Sequence, residues 1–164
     1  MPCSSAPRSP PSSPHRSPAC TARRRSFRHN IRKRVKYIVC SRKFAEELTK
    51  MKFDFANTNT LVNIYQKLND RFDGNIVITL EGNGVLYTVN KEIKLLPALE
   101  ITDIKDTTAA GDVFHGAFAY GFASGFDIEK TIKIANIAAG LSIKKLGTRD
   151  AVPELAEVMA EYEK

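Results

Sequence analysis

The run Asp106-Thr107-Thr108-Ala109-Ala110-Gly111-Asp112 stands between short β-branched segments and the apolar stretch Val113 to Ala123. A turn of small residues that opens a buried helix leaves several backbone N–H groups without an intrahelical acceptor. With the positive end of the helix dipole, those groups make an anion site. Ala109, Ala110 and Gly111 carry almost no side chain, so a phosphate can approach the backbone closely. Asp112 then stands in the first helical turn, beside the anion. A carboxylate there is electrostatically awkward unless it has chemistry to perform, such as taking a proton from an attacking hydroxyl. The local residues leave a second reading open. Asp106 or Thr108 is then an ordinary N-cap, and Asp112 a dipole-friendly acid in turn one.

The chain has 164 residues, enough for one domain with a core, and a hydrophobic content of 43% suits a globular protein. Its net charge of +7 is unevenly placed. Residues 1–36 hold eight Arg and two Lys and no acid, a charge of +10, which leaves the remainder at −3. The basic character belongs to the tail, so the domain gives no reason to expect a nucleic-acid partner. Cys3 and Cys20 lie in that tail and Cys40 in an apolar run, a pattern of idle thiols rather than a disulfide framework. No apolar run reaches the length of a membrane span, and no His is grouped with Cys as zinc requires.

Residues 1–34 are rich in Ser, Pro and Arg and lack apolar periodicity, so disorder is expected there. An organellar transit peptide is one reading, opposed by six Pro in the first 18 residues. A nuclear-import or nucleic-acid segment is another. The abrupt change in composition near Val35 favours a third, a segment foreign to the domain. From there Val35 to Cys40 reads as a buried strand, with Ser41 capping a following helix. Asn57 to Phe72 has helical spacing in Leu61, Ile64, Tyr65, Leu68 and Phe72. Ile76 to Leu80 is a β-branched run of the kind covered on both faces. Glu81-Gly82-Asn83-Gly84 then joins it to Val85–Val89 as a hairpin, with Asn83-Gly84 as the turn signal. A strand, not a helix, follows those glycines, which excludes a dinucleotide fingerprint. Lys91 to Leu96 reads as one more strand. Asp127 can cap a helix from Ile128 to Ile143, and Glu154 to Tyr162 reads as a terminal helix.

Extended to Phe114, Gly116 and Ala117, the opening run reads Asp-Thr-Thr-small-Ala-Gly-Asp-x-Phe-x-Gly-Ala without a gap. It resembles the C-terminal signature of the PfkB (ribokinase-like) carbohydrate kinases, and the likeness extends over roughly residues 37 to 162. The resemblance implies a layered α/β sheet with flanking helices, of which residues 35–164 form the C-terminal part. It implies Asp112 as general base and the N–H groups of Ala110, Gly111 and Asp112 as an anion hole. Thr79, Gly82, Gly84, Ala109, Gly111 and Asn136 are the implied nucleotide contacts, with ATP and Mg²⁺ as cofactors. In potassium-activated members a K⁺ ion binds the loop after the long helix. Asp106, Thr108, Ser142, Lys145, Gly147 and Ala151 match those positions here.

Two departures stand out. The family's Asn-x-x-Glu motif, which helps to place phosphates and magnesium, falls on Ser41 and Phe44. Its Thr-Leu-Gly-x-x-Gly loop reads Thr79-Leu80-Glu81-Gly82-Asn83-Gly84, with Glu81 in place of the first Gly. The sugar-binding acids, Gly-Gly motif and sheet lid of the family's N-terminal half have no counterpart in these residues. The expected function is ATP-dependent phosphorylation of a sugar or similar alcohol in the cytoplasm. The alternative is a non-catalytic nucleotide-binding remnant or truncated fragment. An incomplete sheet exposes an edge, so self-association is also expected.

Overall fold

The computed structural model describes residues 35–72, 74–90 and 92–164. The basic tail, with the three readings made of it, lies outside them. The first described strand, β1 (Tyr37–Ser41), passes into helix α1 (Arg42–Thr49), whose start is capped by Ser41 Oγ accepting from Phe44 N–H at 3.3 Å. Helix α2 (Thr58–Asn69) follows, and its N-cap is Asn57. The chain returns in β2 (Asn75–Thr79), parallel to β1 with Ser41 opposite Thr79. Strands β3 (Val85–Val89) and β4 (Glu92–Leu96) continue the sheet antiparallel, in the order β1-β2-β3-β4. Helices α3 (Ala110–Ala123), α4 (Ile128–Ser142) and α5 (Leu155–Tyr162) complete the chain.

Strand alternation explains the layering. Ile76 and Ile78 point to one face of β2, where Ala45, Leu61, Ile64, Tyr65 and Leu68 of α1 and α2 cover them. Val77, with Val85 and Tyr87 of β3, points to the other, against Phe114, Phe118, Ile132 and Ala135 of α3 and α4. With both faces covered, Ile76, Val77 and Ile78 are each no more than 1% exposed, as a continuous β-branched run requires. Cys40 is buried in the first layer, and burial pushes its thiol pKa up to about 12, which makes it inert. Among the described residues no strand pairs with the outer side of β1, so the edge expected on that side is present.

The hairpin between β2 and β3 forms, but not through a tight Asn-Gly turn. Glu81–Asn83 make a 3-10 turn, and Leu80 N–H donates to the Gly84 carbonyl at 2.7 Å. The left-handed positions are Glu81, at φ +57°, and Gly84, at φ +93°. Gly84 also lies hard against the chain leaving β4. A Cβ there would stand 1.9 Å from the Leu96 carbonyl oxygen. Only glycine meets both demands.

The segment from Pro97 to Asp106 then runs along one stripe of α4. Asn136 Nδ2 donates to the Pro97 carbonyl at 2.8 Å. Gly140 makes room for Leu99, whose Cβ would be 2.9 Å from any Cβ at that position. Lys105 and Asp106 N–H both donate to the Ile143 carbonyl, at 2.8 and 3.2 Å. Residues 136, 140 and 143 recur at helical spacing, so one face of α4 is a track for the linker. Asp106 ends the track. Its Oδ1 accepts from Thr108 N–H at 2.9 Å and from the Thr108 hydroxyl at 2.6 Å, and its Oδ2 accepts from Gly147 N–H at 3.2 Å.

Two outcomes are expected in urea unfolding. Gly84→Ala loses about 2–4 kcal/mol through strain and overlap. Gly82→Ala, whose Cβ meets nothing within 4 Å, stays within about 0.5 kcal/mol of the parent. Equal losses would contradict the close-approach account. The Thr108 side-chain and backbone bonds, then the Gly147 N–H, lower the Asp106 pKa below its ordinary value. A carboxylate depressed in the folded state stabilises above the unfolded pKa and loses that contribution as pH falls through the folded one. The gap in unfolding midpoint between the parent and Asp106→Asn is therefore largest near neutral pH and closes in acid. A gap independent of pH would contradict it.

Candidate functional site

The first turn of α3 is bare of side-chain caps. Its N-cap is Ala109, with no side-chain hydrogen bond, because Asp106 and Thr108 are bonded to each other and to the far loop. The ordinary-capping reading of those two residues therefore does not describe this turn. Val113 N–H donates to the Ala109 carbonyl at 2.9 Å and Ala110 N–H to the Thr107 carbonyl at 3.3 Å. Gly111 and Asp112 N–H have no backbone acceptor among the described residues. Two of the three N–H groups expected in an anion hole are thus unengaged, and the third is held by a long bond. Nothing lies within 4 Å of a Cβ placed on Gly111, so the approach is open.

Asp112 is exposed in that first turn, on the rim of a hollow of about 420 Å³ that Ala109, Gly116, Arg149 and Pro153 also line. His115, one turn on, has Nδ1 at 2.6 Å from the Gly111 carbonyl and edges against Phe114. It is a local contact, in keeping with a packing role.

The other expected contacts fall into two groups. Thr79 Oγ1 donates to the Cys40 carbonyl at 3.4 Å, at the carboxyl ends of β1 and β2. Gly82 lies in the following turn with open space around it. Gly84 and Asn136 meet through the Leu96–Ala98 backbone, one by close packing and the other by its bond to Pro97. Both have a structural task there, whatever else they contact.

In the second group, Asp106, Thr108 and Gly147 are brought together by hydrogen bonds. Both Asp106 oxygens already accept from protein donors. Ser142 is buried and donates to the Ala139 carbonyl at 2.7 Å, and Ala151 is buried beside the same loop. The Lys145 side chain turns away to Glu157, at 3.4 Å. Among the described residues, no three His, Cys, Asp or Glu side chains gather as a metal-holding group. Ser41 and Phe44 stand at the positions of the Asn-x-x-Glu motif, where the first is the N-cap of α1 and the second donates its N–H to it. No described helix is long and apolar enough to cross a membrane.

One feature escaped the sequence reading. Arg42, in the first turn of α1, holds Glu81 through Nη2 and Oε2 at 3.0 Å. The carboxylate that stands in a glycine's place therefore has a counter-ion. The two residues are far apart in sequence, and only the parallel pairing of β1 and β2 brings their flanks together.

The family described as pfkB family carbohydrate kinase matches residues 14–155, beginning upstream of the composition change at Val35. A ribokinase of Lactococcus lactis is 34% identical over 95 residues, 58% of this chain and 31% of the relative. A ribokinase of Bacillus subtilis is 37% identical over 53% of this chain and 29% of its own length. The crystal structure of a Thermotoga maritima ribokinase superposes with a TM-score of 0.68 at 31% identity, covering 82% of this chain and 44% of that one. The chain thus spans about a third of these curated relatives and under half of that structure. By a match over most of its residues, the chain belongs to the pfkB family of carbohydrate kinases.

Proposed function

We propose that this chain carries the nucleotide-binding and general-base portion of an ATP-dependent kinase for a sugar or similar alcohol. The observation that carries the proposal is the uncapped first turn of α3, with two unengaged N–H groups beside Asp112. The transferring phosphate rests on Gly111 and Asp112 N–H, with Ala110 N–H joining if it leaves Thr107. Preorganised donors of this kind stabilise charge that develops during transfer without reorganising. Asp112 takes the proton of the acceptor hydroxyl. Thr79, Gly82, Gly84 and Asn136 border the rest of the nucleotide, and Ala109 lets it approach the turn. Magnesium arrives with ATP as part of the substrate, held chiefly by phosphate oxygens and water. Asp106, Thr108, Ser142, Lys145, Gly147 and Ala151 are the residues proposed to border a monovalent cation such as K⁺, a reading supported by the tie of Asp106 to Thr108 and Gly147.

The relatives named ribokinase make ribose the first acceptor to test. A second reading rests on a specific observation. Asp112 is exposed, and among the described residues it belongs to no cluster of three or more acidic, His or Cys side chains. On that reading the chain binds nucleotide without turning it over.

ADP release from Mg·ATP, measured across ribose and a sugar and nucleoside panel, separates the two. The kinase reading predicts sugar-dependent release that Asp112→Asn lowers by about 10²–10⁴-fold with nucleotide affinity retained. Nucleotide binding with no sugar dependence, in folded protein, supports the second reading. Sugar-dependent release unchanged by Asp112→Asn would remove Asp112 from the mechanism.

A further inference from the structure

Ligands of open α/β sheets bind in the crevice at the carboxyl ends of parallel strands. Here that crevice lies where β1 and β2 end, at Ser41 and Thr79. Two chain segments leave it, α1 beginning with Arg42 and the turn beginning with Glu81. His115 of α3 shares a hollow with Ser41 and Phe44, and bonds back to Gly111. The start of α1 and the second turn of α3 therefore share one hollow, one turn on from Gly111. Arg42, the residue after Ser41 in the chain, is bound to the carboxylate of Glu81 at the ends of the two strands.

Glu81 is held there by an unusual backbone. It takes a left-handed φ of +57°, which for a residue with a Cβ is costly and local. The adjacent Gly82 has open space on its side. The Glu81 side chain is 68% exposed and that of Arg42 33%. A pair so open to water is weakly held and screened by salt. A polyphosphate carries several negative charges and offers pairs of oxygens that the planar guanidinium binds bidentately. It outcompetes a single exposed carboxylate.

The described residues gather no acid cluster for a metal, and a serine and a phenylalanine occupy the start of α1 where polar ligands are expected. We propose that Arg42 is a phosphate-binding residue of the nucleotide site, with Glu81 as its resting counter-ion. Charge neutralisation by Arg42 then replaces part of what magnesium supplies, so nucleotide binding depends only weakly on the ion. This rests on the nucleotide reading above and goes beyond it.

Calorimetric titration of the full chain with ADP and ATP, in Mg²⁺ and in EDTA, tests both layers. The parent is expected to bind within about tenfold in the two buffers. Arg42→Ala loses tenfold or more in EDTA and less in Mg²⁺, while Arg42→Lys recovers part of the loss. Glu81→Gln binds more tightly in EDTA, because the competing carboxylate is gone. Circular dichroism of each variant separates lost binding from lost fold. Parent binding that Arg42→Ala leaves unchanged in both buffers overturns the role of Arg42 alone. Parent binding abolished by EDTA overturns the magnesium-sparing role. A folded parent that binds neither nucleotide in either buffer overturns the nucleotide reading and this inference together.

Discussion

The stripe of α4 that carries residues 97–106 is the constraint on which the rest depends. Asn136, Gly140 and Ile143 hold the linker by an amide bond, a vacancy for Leu99 and a shared carbonyl. The linker in turn presses on Gly84 at one end and delivers Asp106 to Gly147 at the other. Because Asp106 and Thr108 are occupied with each other and with the loop, neither reaches forward to cap α3. The bare helix start is a consequence of this tie, not a local preference of alanine.

Electrostatics follow from the same arrangement. A helix start with unengaged N–H groups attracts negative charge. The cations and acids around it are arranged so that little of that attraction is spent within the protein. Lys145 turns to Glu157, and the Asp106 carboxylate is stabilised in its charged form by hydrogen-bond donors rather than by a cation of the chain. Glu81 is matched by Arg42 across the ends of two strands. The chain belongs to the pfkB family of carbohydrate kinases and spans about a third of the curated relatives it matches.

Much of this was legible in the residues. Periodicity located α2 and the both-face burial of β2, because apolar spacing records which sides are covered. The caps Ser41 and Asp127 could be read because capping is a contact between neighbours in sequence. The Asp106–Asp112 run could be read for a similar reason: small residues and an acid in a fixed order. What could not be read depends on distant segments meeting. The Asn83-Gly84 pair suggested a tight turn, yet the glycine is fixed by Leu96 and Pro97, and the left-handed residue before it is Glu81. Asn136 suggested a ligand contact, and its amide is first of all a prop for Pro97. Glu81 read only as a departure from the family's glycine, and parallel pairing brings Arg42 beside it.

The central claim is that the first turn of α3 receives a phosphate. The most direct measurement is backbone amide NMR of the ¹⁵N-labelled chain, titrated with ATP and with inorganic tripolyphosphate. The account predicts the largest shifts at Gly111 and Asp112, with both ligands moving the same amides. Saturable shifts that leave Gly111 and Asp112 unmoved would place the anion elsewhere and contradict it.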